Sequence, residues 1–416
     1  MREMKYSGVE WIGDIPAEWS IIKFKYLHKG LNTGEAIGKE YWTEEETDMF
    51  FYTAGLVPIR TNYKDFPIWK YTGENDLLMA RNGTPYVYFP VSDACYTDHI
   101  IRASMKADIN RKYVYYSLSQ SILSVVANTV SIATWSASLW NEQIIPFPSE
   151  KEQQAIADIL DRKCTQIDAL IANEEQQIAK LKAYKQSVIT ETVTKGLDPD
   201  VAMKDSGVEW IGEIPEHWKL IPLSSLSKSM RNGYVGPTKN IFCETGIKYI
   251  QSLHIKEGKI DFLKHEYYVS EEWADKHPKV YTGNLLIVQT GDIGQVGEVS
   301  EEYNGCNCHA LIIVDVNNES ILSKFLSYYL QSAVGKELLL ATKTGALLPH
   351  LNSGRIGSTI ICVPTMQEQE LITKVLDKKV ELINELILLK QQKIEKLQQY
   401  KKSLIYEYVT GKKEVI

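Results

Sequence analysis

Lys5-Tyr-Ser-Gly-Val-Glu-Trp-Ile-Gly-Asp-Ile-Pro-Ala-Glu-Trp19 returns later in the chain as Lys204-Asp-Ser-Gly-Val-Glu-Trp-Ile-Gly-Glu-Ile-Pro-Glu-His-Trp218. Eleven of the fifteen positions are identical at an offset of 199, which chance does not produce, so the 416-residue chain is a duplicated unit. A second match closes each copy: Pro148-Ser-Glu-Lys-Glu-Gln153 corresponds to Pro364-Thr-Met-Gln-Glu-Gln369, now at an offset of 216, so the second copy is longer by seventeen residues. In both places a hydroxyl residue, Ser149 or Thr365, stands three positions before a glutamate, Glu152 or Glu368. That is a capping box, in which the hydroxyl serves the amide three residues on and the carboxylate reaches back, and it predicts that two helices start there.

Behind each cap runs an apolar stripe at helical spacing. The first reads Ile156, Leu160, Ile167, Leu170, Ile171, Ile178, Leu181, Tyr184, Val188 and Ile189. The second repeats it as Ile372, Leu376, Ile383, Leu386, Ile387, Ile394, Leu397, Tyr400, Leu404 and Ile405. Each run lasts about forty-five residues without an internal Pro or Gly and stops near a glycine, Gly196 or Gly411. Helices so long and amphipathic pair with one another, and two copies of equal length and phase satisfy each other. The first must leave one globular segment and deliver the chain to the next, roughly 65 Å on at about 1.5 Å per residue. The second, starting from that far segment, must run back. The expected fold is therefore α/β (α+β): two globular domains joined by a long antiparallel two-helix coiled coil, a dumbbell with a pseudo-two-fold internal repeat. The expected boundaries are residues 1–149, a central helix 150–196, residues 197–364, and a C-terminal helix and tail 365–416. Its seam is expected at Ile156, Leu160, Ile167, Leu170, Ile178, Leu181 and Val188 against Ile372, Leu376, Ile383, Leu386, Ile394, Leu397 and Leu404.

Residues 20–147 and 219–363, between the repeated borders, read as mixed α/β. Short β-prone runs such as Leu285-Leu-Ile-Val-Gln289 and Ala310-Leu-Ile-Ile-Val314 alternate with turn residues, and helical stretches follow at 113–121 and 322–332. Weak echoes persist: Tyr71-Thr-Gly73 with Tyr281-Thr-Gly283, His99 with His309, Tyr115-Tyr116 with Tyr328-Tyr329. Elsewhere the two differ, as two readers of different short sequences would. Polar loops that could touch bases end likely strands in both copies. Arg81, Asn82 and Thr84 follow Leu77-Leu-Met-Ala80, and Gln289, Thr290 and Asp292 follow Leu285-Leu-Ile-Val288. Arg bridges guanine O6 and N7, and Asn or Gln bridges adenine N6 and N7, so these side chains suit groove readout. Lys343-Thr344-Gly345, with Thr134-Trp135-Ser136 at the comparable place, and Arg231-Asn232-Gly233-Tyr234 are further candidates, though Arg and Asn beside glycine also fill turns that touch nothing.

Composition bounds the function. With 44% apolar and 24% charged residues the chain is an ordinary folded protein. The start lacks an apolar core behind a basic stretch and no run is long enough to span a bilayer, so a cytoplasmic location is expected. Six scattered cysteines suit free thiols. The net charge of −7 is the wrong sign for a solitary phosphate binder, so any DNA contact must be local or shared with a partner. No GxxxxGK[ST] loop, Asn-Pro-Pro-aromatic tetrapeptide, GxSxG or HExxH occurs. Gly291-Asp-Ile-Gly-Gln-Val-Gly297 has the wrong spacing for a dinucleotide loop and reads as a tight turn. Cys306-Asn-Cys308-His309 lacks the second pair that a zinc site needs.

Two unlike segments, each opened by Ser-Gly-Val-Glu-Trp-Ile-Gly-x-Ile-Pro-x-x-Trp and closed by Pro-x-x-x-Glu-Gln, resemble the specificity subunits of type I restriction-modification systems. The resemblance covers essentially the whole chain. It implies a non-catalytic, cofactor-free subunit whose two target-recognition domains each read half of an asymmetric, bipartite site on double-stranded DNA. It also implies two adenine-methyltransferase subunits as partners, which would bind the S-adenosylmethionine, and an endonuclease and translocase (restriction) subunit, with no membrane. The rival expectation is a coiled-coil protein-interaction scaffold without DNA binding.

Overall fold

The computed structural model describes residues 2–127, 134–262, 265–344 and 350–415. The chain folds into two compact units, Met1–Glu174 with Gln391–Ile416, and Glu175–Lys390. Each holds one mixed α/β domain and half of each long helix, and the two repeat one element order.

In the first unit the repeated border forms a hairpin, Met4–Tyr6 against Asp14–Pro16. Ser7 and the left-handed Gly8 and Gly13 shape its turn, with the Val9 amide donating to the Ser7 hydroxyl at 3.2 Å. Ser20–Lys23 then pairs with Ile144–Phe147, the strand just before the first long helix. The central sheet has the order His28–Thr33, Ile100–Met105, Asp76–Ala80, Val87–Tyr88, all antiparallel. Strand Asp76–Ala80 is buried throughout, because the helix Arg111–Ala127 covers one face while a smaller sheet covers the other. That smaller sheet runs Cys95–Tyr96, Met49–Tyr52, Ile59–Thr61, Trp42–Thr43, its first pair parallel.

The second unit repeats this. Its hairpin is Met203–Asp205 with Glu213–Pro215, and Lys219–Pro222 pairs with Ile360–Val363. The central order is Ser227–Asn232, Leu311–Val316, Leu285–Val288, Val296–Glu298, and the smaller sheet runs Asn307–Cys308, Ile247–Ile250, Tyr268–Val269, Phe242–Cys243. Most of the extra length of this copy lies at residues 251–267, where a small hairpin, Ile255–Lys256 with Lys259–Ile260, replaces the short turn 53–58. Tyr116 donates to Asp161 at 2.9 Å and Tyr328 to Asp377 at 2.7 Å, so the tyrosine echo runs from Tyr116 to Tyr328, one place off the expected alignment.

The two long helices are Glu150–Lys195 and Met366–Val409. Both capping boxes form: the Ser149 amide donates to Glu152 at 3.3 Å and the Thr365 amide to Glu368 at 3.0 Å, while each hydroxyl accepts the glutamate's amide at 3.4 Å. Within each unit the helices are antiparallel. In the first, Asp168 meets Lys401 at 2.7 Å and Glu174 meets Lys393 at 2.6 Å. In the second, Lys390 meets Gln177, and Lys185 meets Asn384 at 2.9 Å.

The seam alternates steps of four and three: Leu160, Cys164, Ile167, Ile171, Glu174, Ile178, Leu181, Lys185, Val188. Of the expected seam, Ile156, Leu160, Ile167, Ile178, Val188, Ile372, Leu376, Ile383 and Leu404 are buried, and Leu181, Ile394 and Leu397 are half-buried. Leu170 and Leu386 correct the expectation: they are 48% and 47% exposed, because the seam passes through Ile171 and Ile387, about 100° further round the helix.

The border tryptophans bind these parts together. Trp19 donates its indole N–H to Glu152 at 3.3 Å, at the start of the first long helix, and its ring lies under Gly411 at the end of the second. Trp218 donates to Glu368 at 3.2 Å and lies under Gly196. Both glycines are left-handed, with φ of +72° and +79°, closing the helices where the sequence placed their stops. A Cβ on Gly411 would lie 2.4 Å from the Pro16 ring. Gly411→Ala should therefore cost about 2 kcal/mol or more, from combined left-handed strain and overpacking, and lower the melting temperature measured by circular dichroism.

Burial alone would raise the Glu368 carboxyl. Hydrogen bonds from Thr365, His217 and Trp218 outweigh it and hold the group down at about 2. A carboxyl depressed on folding stabilises the fold above its unfolded value, near 4.3, and that contribution drains away as pH falls through about 2. Glu368→Gln should flatten the fall in stability between about pH 4.3 and 2 in denaturant titrations. An unchanged pH profile would contradict this role.

Candidate functional site

In each unit one end of the central sheet collects the polar loops. The register decides which: Ile100 lies opposite Ala80 and Ile101 opposite Thr33, so residues following Ala80, following Asn32 and preceding Ile100 emerge side by side. Arg81, Asn82 and Thr84 sit here on a turn whose Gly83 is left-handed at φ +73°. The Arg81 amide donates to the His99 carbonyl at 2.8 Å, and the Arg81 carbonyl accepts from the Trp135 amide at 2.6 Å. Asn82 bridges Thr134 through the backbone, and its side-chain amide lies 2.7 Å from His99 Nδ1. These contacts fix the backbone while the Arg81, Thr84 and His99 side chains stay exposed.

The second unit builds the equivalent end. Val288 lies opposite Leu311 and Asn232 opposite Ile312, which brings together Asn232–Tyr234, Gln289–Asp292 and His309. The Gln289 carbonyl accepts from the Leu351 amide at 3.0 Å, the counterpart of the Arg81–Trp135 contact. Thr344 pairs with His350 through both backbone bonds, at 3.0 and 2.9 Å, and His350 directly precedes the Leu351 that bonds Gln289, so both stand at this sheet end; Gly345 lies outside the described residues. Thr290, Asp292 and Lys343 are exposed, and Gln289 and Thr344 are half-exposed. Gly291 and Gly294, at φ +82° and +85°, make the turn expected of that glycine-rich run.

Two candidates are engaged elsewhere. Arg231 donates to the Lys279 carbonyl at 2.9 Å and to Ser229 at 3.2 Å, so its guanidinium is held along the sheet edge. Tyr234 packs edge-on against Trp273 and His277, with centroids 5.0 Å away in both cases, beneath which Trp273 and His277 stack at 3.7 Å. Asn232 beside them remains exposed. Burial lowers the His309 imidazole, keeping it neutral at neutral pH, and Tyr249 lies 3.2 Å from its Nδ1.

Asn32 and Thr33 in the first unit and His350 in the second escaped the sequence reading, and His99 and His309 entered it only as an echo between the copies. One signal could have found the first pair, since the offset of 199 still holds at Gly34 and Gly233. A Cβ on Gly34 would fall 1.8 Å from the Tyr96 carbonyl oxygen, and on Gly233 2.4 Å from Cys308 Sγ. Only glycine lets this strand end pass so close to the neighbouring chain.

A groove of about 2110 Å³ in the second unit carries Lys182, Lys248, Lys256 and Lys259, but also Asp261, Glu298, Asp377 and Glu381. Among the described residues no group of three or more His, Cys, Asp or Glu could hold a metal ion. Cys306 and Cys308 are buried, which pushes their thiols up to about 11 and about 12, against the thiolate a metal needs. Among the described residues no helix is long and apolar enough to cross a membrane.

A family model described as the type I restriction modification DNA specificity domain matches residues 18–183 and 215–399, most of both copies. The chain belongs to that family. Among curated relatives of this family it is 27% identical over 319 residues to the type I restriction enzyme EcoBI specificity subunit of Escherichia coli, covering 74% of this chain and 66% of that one. It is 24% identical to the MjaVIII specificity subunit of Methanocaldococcus jannaschii, over 96% of this chain and 93% of that one. The specificity-family fold also recurs in a solved chain from work on complex assembly and conformational transition of the type I R-M system. That match has a TM-score of 0.66 and 12% identity and covers 95% of this chain and 98% of that one.

The retained glycines give a direct test of the sheet-end frame. Gly233→Ala should cost about 2 kcal/mol, because the Cys308 backbone behind it cannot yield, and should show as a lower thermal midpoint. An unaltered midpoint would mean that the strand end moves freely.

Proposed function

We propose that this chain is the non-catalytic DNA-reading subunit of a type I restriction-modification complex. Each sheet end reads one half of an asymmetric, bipartite site, and the chain holds two adenine-methyltransferase subunits over the DNA. The observation that carries this reading is a contrast within the duplication. The two sheet ends share one backbone frame, down to Gly34 and Gly233 and the matching Trp135 and Leu351 amide bonds, yet present unlike side chains. One offers Arg81, Asn82 and Thr84, and the other Gln289, Thr290 and Asp292. Arg suits guanine, Asn and Gln suit adenine, and an Asp accepts from cytosine, so unlike loops on like frames suit two different half-sites.

The net charge of −7 belongs to the same reading. Phosphate contacts position a protein on DNA and base contacts specify the sequence, so a chain that reads need not supply the positive field if its partners do. The methyltransferase subunits would bind S-adenosylmethionine, and a restriction subunit would complete the assembly in the cytoplasm.

Sequencing of modified bases in cells carrying the system should reveal methylated adenines within a two-part motif. In the complex with its methyltransferase, Arg81→Ala with Asn82→Ala should relax one half of that motif. Gln289→Ala with Thr290→Ala should relax the other, each weakening binding to the parent site roughly tenfold to a hundredfold. Relaxation of both halves by one pair of substitutions would refute the division. Absence of any salt-sensitive DNA binding by the complex would favour a protein-interaction scaffold instead.

A further inference from the structure

At each sheet end a short link joins the smaller sheet to the central one. In the first unit it runs from Tyr96, paired with Tyr52, to Ile100, opposite Ala80. In the second it runs from Cys308, paired with Ile250, to Leu311, opposite Val288. The links read Thr97-Asp98-His99 and His309-Ala310, so histidine is the one residue type they share although their lengths differ. The shorter link keeps it with Ala310 turned left-handed, at φ +47°, a conformation that an L side chain rarely adopts.

Both rings are held in the same tautomer, by different donors. The Asn82 side-chain N–H donates to His99 Nδ1 at 2.7 Å; an amide nitrogen has no lone pair to offer, so Nδ1 accepts. Tyr249 is fully buried, and His309 Nδ1 at 3.2 Å is the one hydrogen-bond partner of its hydroxyl among the described residues, so its O–H donates there and is not left unsatisfied. A ring that accepts at Nδ1 carries its N–H at Nε2. Each domain supplies the donor that the other lacks. Phe51 stands in the first unit where Tyr249 stands in the second, pairing with Cys95 as Tyr249 pairs with Asn307. Thr290 lies two residues beyond Val288, as Asn82 lies two beyond Ala80. Among the described residues no hydrogen bond engages Nε2 of either ring, and His99 is exposed while His309 is half-exposed.

We infer that His99 and His309 are a matched pair of DNA-backbone contacts, each giving its Nε2–H to a phosphate oxygen of the strand that crosses its sheet end. This rests on the reading under Proposed function, in which the loops beside the two rings differ because the half-sites differ. A donor that both domains keep, oriented by a different neighbour in each, meets something that unlike sequences share. The sugar–phosphate backbone is that part: its contacts fix register and carry no base preference. The other shared group, the adenine to be methylated, is extruded into the methyltransferase when it reacts. An uncharged N–H releases no counterion on meeting a phosphate, which separates this contact in experiment from one made by lysine or arginine.

The complex with its methyltransferase subunit, titrated with duplexes bearing the methylated motif, tests this. His99→Phe should weaken binding roughly tenfold, by the same factor on the parent site and on duplexes with one base pair of that half replaced. The slope of log affinity against log salt should stay as it is in the parent. A single methylphosphonate, which makes one phosphate neutral, should weaken the parent complex at one position of that half and weaken the His99→Phe complex no further there. His309→Phe with Tyr249→Phe, which leaves no orphaned phenol, should do the same in the other half. Should that pair melt lower than the parent, His99→Phe decides alone, since its side chain is exposed. Unaltered affinity, a relaxed preference at one base pair, or a methylphosphonate penalty that persists at every position overturns the contact and leaves the base-reading proposal standing. A parent complex that binds no DNA overturns both.

Discussion

The indole of a border tryptophan, wedged between the start of one long helix and the end of the other, is the contact on which each unit depends. Trp19 gives its N–H to Glu152, whose other oxygen takes the Ser149 amide and hydroxyl, and its ring packs where Gly411 ends the returning helix. Trp218 repeats this with Glu368, Thr365 and Gly196. One carboxylate thus caps a helix and receives a buried donor at once. Burying each indole contributes on the order of 4 kcal/mol, more than any single exposed ion pair along the helices. Because Ser20–Lys23 and Ile144–Phe147 pair directly beside the Trp19 contact, the direction in which the helix leaves the sheet is set there too.

Between those ends the duplication poses a problem that the sequence has solved by divergence. Helices descended from one helix carry the same side chain at equivalent positions, so a charge near the middle of an antiparallel pair would meet its own kind. Glu174 and Lys390 are equivalent at the offset of 216, as are Gln177 and Lys393, and both pairs have become unlike. In one unit Glu174 meets Lys393, and in the other Lys390 meets Gln177. Glu174 is almost fully buried, and a charge so placed is tolerable only with a hydrogen-bonded partner of opposite sign.

The parts of this fold that are local in sequence were the parts legible in it. The capping boxes at Ser149 and Thr365, the helix stops at Gly196 and Gly411 and the tight turn at Gly291 each depend on a few consecutive residues. The seam was legible only in outline. An apolar count selects Leu170 because it is leucine, whereas the true seam accepts Cys164, Glu174 and Lys185, which hydropathy passes over. The candidate site divides the same way. Arg81 and Gln289 were visible because a turn follows a buried strand, but His99 and His350 reach the same sheet ends through pairings that no short window contains. Arg231 looked free because its acceptor, the Lys279 carbonyl, lies far along the chain.

Identity and difference between the copies carry separate information once the fold's own demands are removed. The glycines at 34 and 233 and the tryptophans at 19 and 218 are identical because packing leaves no alternative. The loops after Ala80 and Val288 differ although their frames agree, so packing did not impose their content. Lys180, Tyr184 and Glu191 are the opposite case, recurring on the second helix as Lys396, Tyr400 and Glu407 and agreeing where packing demands nothing. A core fixed by packing, a surface that varies and a surface that repeats are thus separable within one duplicated chain. These three classes of residue occupy different places in each unit: beneath the tryptophan, at the sheet end, and on the outer helix face.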